Sequence, residues 1–114
     1  MPFINTTVTC RIDDSKRETL KTLLGEAIAL IPGKSEKFLM LAFSDSTKMY
    51  FSGNDSSDTA FIEVKVFGTV KKEDYDALTA RLTEIYNSVL SIPKDRIYIK
   101  YEECFNWGWN GANF

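Results

Sequence analysis

Proton transfer in this chain has to be done without histidine, because none occurs in the sequence. Imidazole triads and imidazole metal ligands are therefore excluded, and the base must be another group. Pro2, directly after Met1, is the first candidate. A small penultimate residue of this kind directs removal of the initiator methionine. The mature chain would then open on a secondary amine, which no other residue type supplies. A free α-amine titrates near ~8, so desolvation or a neighbouring cation tunes it toward a basic or nucleophilic form at neutral pH. Phe3-Ile4 should draw this terminus into a strand rather than leave it fraying.

The remaining composition narrows the class. A length of 114 residues suits one domain, residues 1–114, with a core of its own. The net charge is −2 and the pI about 5.1, which argues against a nucleic-acid partner, since phosphate neutralisation needs a basic face. Cys10 and Cys104 are too few for a disulfide framework or a zinc site and are expected as small, buried or semi-buried thiols. No secretory leader and no stretch of membrane-spanning length is read at the start or within the chain. The expectation is a cytoplasmic protein with reduced thiols and no membrane partner.

Two similar halves must position the terminus. Phe3 to Thr9 reads as a strand. Ser15-Lys16-Arg17-Glu18 fits a capping box, opening a helix with Leu20, Leu23, Leu24, Ala27, Ile28 and Ile31 on one face. Pro32-Gly33 stops it. Phe38 to Phe43 is a continuous apolar run suited to a sheet-interior strand, Lys48 to Ser52 a shorter strand, and Gly53 to Asp58 a polar loop. Ala60 to Phe67 then alternates, Lys72 to Leu90 is helical, and Arg96 to Glu102 is the next strand. Glu63 and Lys65 are expected as exposed cross-strand charges.

The expected class is α+β: a tandem β-α-β repeat whose four-stranded mixed sheet carries both helices on one face. The other face is left uncovered, and its natural partner is another copy of the chain. The tail from Phe105 to Phe114 concentrates Phe105, Trp107, Trp109 and Phe114 among turn formers. It is an aromatic flap sealing the core edge, or else an aromatic wall around a ligand or a docking arm across a subunit boundary.

Taken in order, several features resemble the macrophage migration inhibitory factor family of the tautomerase superfamily. These are Met1-Pro2 leading into a strand, the doubled β-α-β plan, Gly33-Lys34 after the first helix, and Gly108-Trp109-Asn110 with Phe114 at the end. Asp45-Ser46-Thr47 with Met49, then Phe51 and Gly53, looks like microbial and protozoan members. Asp95-Arg96-Ile97-Tyr98-Ile99 looks like the family's final core strand.

The resemblance covers essentially the whole chain and implies a homotrimer with an active site at each subunit boundary. It implies keto–enol tautomerisation of small aromatic α-keto acids of the phenylpyruvate type, with no cofactor and no metal. Carried over, the base is Pro2 and the carboxylate-binding lysine is Lys34, otherwise read as a solvated lysine beyond a helix end. Phe67 offers its backbone amide, and Tyr98 comes from the neighbouring subunit. Phe38, Trp109 and Phe114 form the aromatic wall, with Trp107 where the mammalian protein has an aliphatic residue.

Lys100 stands where the mammalian family member has an asparagine, and is read either as a second pocket cation or as surface placement. The mammalian Cys-x-x-Cys falls at Thr59 and Ile62, so no thiol redox activity is expected. Two other functions remain in view. One is a cytokine-like mimic of a host receptor's ligand, released by a non-classical route; the other is a trimer acting on another small unsaturated acid.

Overall fold

The computed structural model describes residues 1–114. Strand β1 (Pro2–Val8) begins at the second residue, and helix α1 (Asp14–Ala27) follows. The helix opens earlier than the capping box at Ser15 suggests. Asp13 is the N-cap, its carboxylate accepting the Lys16 amide at 2.8 Å. An ionised carboxylate is a strong acceptor for the unpaired amides of a first turn. A 3-10 turn at Ile28–Leu30 extends α1. Strand β2 (Met40–Ser44), strand β3 (Ala60–Phe67), helix α2 (Lys72–Leu90) and strand β4 (Ile97–Cys104) complete the repeat.

The sheet order is β2-β1-β3-β4. β1 runs parallel to β2 and antiparallel to β3, and β3 runs parallel to β4. Each parallel pair is bridged by one helix, as the tandem β-α-β plan requires. Side chains alternate along the strands. Ile4, Thr6 and Val8 of β1 and Ile62, Val64 and Val66 of β3 are buried with Leu20, Leu24, Leu78 and Leu82 of the helices. Fully burying one such aliphatic side chain contributes about 1.5–3 kcal/mol. Tyr86, buried completely on α2, shares a hydrogen bond with the Thr6 hydroxyl. Burial pushes its phenol well above the usual tyrosine range.

Three segments differ from the sequence reading. β2 starts at Met40, because its pairing begins opposite Phe3, and Phe38 instead closes a 3-10 turn at Glu36–Phe38. Lys48 to Ser52 forms no strand of the sheet, since no strand of the same chain lies beside it; only Phe51 bridges back to Asn54. The tail forms a small hairpin of β5 (Gly108–Trp109) and β6 (Ala112–Asn113). Its turn residues, Asn110 and Gly111, both take positive φ (52° and 82°), the signature of a tight primed turn.

The uncovered sheet face is amphipathic rather than apolar. Phe3, Met40, Phe61 and Tyr98 share it with Asn5, Glu63, Lys65, Lys100 and Glu102. Glu63 and Lys65 are half-buried, and Asn5 donates to the Glu63 carboxylate at 3.1 Å. No helix is long and apolar enough to cross a membrane.

Candidate active site

The chain terminus is held where β1 meets β3. Pro2 lies opposite Val66 in the antiparallel register and is buried. The Phe67 amide donates to the Met1 carbonyl at 3.1 Å. Gly68 then takes φ +90°, a conformation that a side chain would strain, and its amide donates to the Cys104 carbonyl at 2.9 Å. The chain therefore turns away directly after Phe67, leaving Phe67 at the sheet's end beside the terminus.

Lys34 is brought to the same point from the other side. The exit from α1 passes through Pro32 and Gly33, with φ +80° at the glycine, and the Lys34 amide donates to the Ile31 carbonyl. This turn aims the side chain at β3, where Nζ donates to the Phe67 carbonyl at 3.0 Å. Lys34 also acts on the Met1 amine. Partial burial, then the Lys34 charge and hydrogen bond, hold that amine below the ordinary range of a chain terminus. Lys34 is thus no freely solvated lysine.

A cavity of about 460 Å³ opens beside the terminus, lined by Met1, Pro2, Phe38, Met40, Trp107 and Trp109 among others. The aromatic residues form a connected arc. Phe38 meets Trp109 edge to face at 5.7 Å, Trp109 stacks on Phe114 at 6.3 Å, and Phe114 packs on Phe67 at 5.6 Å. The Phe114 amide donates to the Trp107 carbonyl, tying the chain end to this wall. Phe38, Trp109 and Phe114 remain exposed, so the tail walls a cavity and does not seal the core.

Tyr98 and Lys100 are not part of this constellation within one chain. Tyr98 is level with Phe61 and Thr7, five residues along β1 from Pro2, and Lys100 is level with Glu63 and Asn5. At about 3.3 Å per residue and 4.8 Å per strand, Tyr98 lies roughly 17 Å along and 10 Å across the sheet from Pro2. Both occupy the uncovered face, whereas Pro2 belongs to the buried set. Tyr98 packs edge to face on Phe51 at 5.2 Å. Lys100 pairs with Glu102 at 3.0 Å, and that hydrogen bond raises its pKa.

Lys37 and Met40 also line the cavity and were not singled out from the sequence. The signal for Lys37 is its place between Lys34 and Phe38, where a 3-10 turn carries it to the aromatic wall. No group of three or more His, Cys, Asp or Glu side chains is arranged to hold a metal.

The family model described as macrophage migration inhibitory factor (MIF) matches residues 1–114. The chain belongs to the macrophage migration inhibitory factor family. It is 29% identical to the macrophage migration inhibitory factor of Xenopus laevis, over 98% of this chain and 96% of that protein. Among solved structures, MIF2 of Leishmania major superposes with a TM-score of 0.92 at 35% identity, covering 100% of this chain and 97% of that one. The family homologue from Prochlorococcus marinus gives 0.88 at 31% identity, covering 98% of each chain. Membership of this family supports a tautomerase-type, isomerase activity.

Proposed function

We propose that the protein is a keto–enol tautomerase of phenylpyruvate-type acids, with Pro2 as base once Met1 is removed. The observation that carries this reading is the double use of Phe67. Its amide is taken by the Met1 carbonyl and its carbonyl by Lys34, whose charge also lowers the pKa of the Met1 amine. Met1 therefore occupies the polar contacts beside Pro2. Its removal leaves the Pro2 amine at an aromatic-walled cavity, with the Phe67 N–H and the Lys34 ammonium freed of their Met1 contacts beside it.

Each group then has a task. The neutral Pro2 amine takes the α-proton of the bound acid and returns it in the reverse exchange. Lys34 clamps the substrate carboxylate, and the Phe67 amide is free to donate to an oxygen of the substrate. Lys34 and partial burial favour the neutral form of the amine, the same two causes that lower the Met1 amine. Phe38, Trp109 and Phe114 receive the aromatic body.

The reading extends to a homotrimer in which the uncovered sheet faces meet. Met40 and Tyr98 are exposed on that face beside Glu63, Lys65, Lys100 and Glu102, so apolar and charged groups both find partners there. Tyr98 and Lys100 then reach the cavity of a neighbouring copy. Subunit mixing tests this. Chains carrying Pro2→Gly and chains carrying Tyr98→Ala are each impaired; co-assembled, they restore intact boundaries, and turnover exceeds that of either alone. Turnover no greater than the sum of the two would contradict a shared site.

A further inference from the structure

Two lysines bracket the aromatic arc. At one end Lys34 donates to the carbonyl of Phe67. From Phe67 the rings run through Phe114 and Trp109 to Phe38. At the other end the Lys37 ammonium lies 5.3 Å from the centre of the Phe38 ring. Neither ammonium is within ion-pair distance of a carboxylate, as is also true of Lys16, Lys48, Lys65 and Lys71, but only these two stand at the aromatic arc. The adjacent Glu36 makes no ion pair with Lys37; its carboxylate lies against Gly25 of α1. In a chain of net charge −2, two unpaired cations at opposite ends of one aromatic surface favour a ligand with a negative group at each end.

We propose that Lys37 forms a second anion subsite, so that the cavity takes aromatic α-keto acids carrying a second carboxylate at the far end of the ring. This rests on the tautomerase reading of the same cavity. Lys34 would hold the carboxylate next to the reacting carbon, the arc would hold the ring, and Lys37 would hold the distal carboxylate. The Phe38 face keeps the Lys37 ammonium at the wall instead of free in solvent. Lys37 is a specificity residue here and touches no reacting atom.

The probes are cinnamate and its 4-carboxylate, which bind without turning over. The chain's two tryptophans, Trp107 and Trp109, both line the cavity, so their fluorescence reports binding directly. With the Met1-processed chain at low ionic strength, the dicarboxylate should bind about three- to fivefold more tightly than cinnamate, as a partly exposed ion pair allows. That preference should fade at about 1 M salt, where the screening length is about 3 Å. It should disappear in Lys37→Gln and persist in Lys37→Arg.

An affinity ratio equal in wild type and Lys37→Gln overturns the proposal, as does a preference indifferent to salt. Phenylpyruvate turnover by the same sample separates the two readings. No turnover with a Lys37-dependent preference sinks the tautomerase reading alone. Turnover without the preference sinks the subsite alone.

Discussion

Lys34 and Phe67, 33 positions apart in sequence, are joined by a hydrogen bond of 3.0 Å from the lysine Nζ to the phenylalanine carbonyl. The Phe67 amide is bonded in turn to Met1. A cation from the first half of the repeat is thereby fixed against the end of a strand from the second half, beside the chain terminus. The expected consequences of this junction can each be measured.

Lys34→Ala removes the carboxylate clamp. Hydrogen bonds to charged groups contribute roughly 1.5–3 kcal/mol, so kcat/KM for phenylpyruvate should fall about ten- to a hundredfold. Steady-state kinetics of the folded variant check this, and an unchanged value removes Lys34 from the site.

The pH profile has a definite sign. Only the neutral amine acts as base, so kcat/KM should rise with pH through the pKa of the Pro2 amine. The Met1 amine, one residue before Pro2, is held below its ordinary range by burial and by Lys34. Lys34→Ala deletes the nearby positive charge, which makes the protonated amine less unfavourable and raises its pKa. The rising limb should move to higher pH in the variant; a limb that stays in place, or moves down, contradicts the assignment.

Much of this arrangement was legible in the sequence, for physical reasons. Alternation from Ala60 to Phe67 and helical spacing from Lys72 to Leu90 match β3 and α2 because one face of each meets the core. The resemblance named Phe38, Trp109 and Phe114, but their connection as one arc was not legible, since ring contacts between positions 38, 67, 109 and 114 depend on the tail hairpin. Phe38 was misread as strand because an apolar run carries no mark of where pairing starts. Lys48 to Ser52 has strand-like composition but no partner within the chain. Lys37 carried no periodic signal at all; only the turn at Glu36–Phe38 brings it to the cavity.

Stability should separate from chemistry at Tyr86. Its hydroxyl and that of Thr6 are each other's buried partner, so Tyr86→Phe leaves Thr6 unsatisfied at a cost of about 1–3 kcal/mol. Denaturant unfolding should show that loss, while kcat/KM of the folded variant stays within about twofold, as expected for a group that touches neither the cavity nor Pro2. An unchanged midpoint would mean that the pair contributes nothing net.

With Pro2 as the base, a retained Met1 blocks catalysis. The most direct measurement is phenylpyruvate tautomerisation by two preparations of the same chain, one processed at Met1 and one retaining it. N-terminal peptide mass establishes each state. An amide nitrogen has no basic lone pair, and general-base catalysis is worth about 10²–10⁴-fold. The Met1-retaining protein, folded identically by circular dichroism, should be at least about a hundredfold slower. Equal rates in the two preparations would contradict Pro2 as the base.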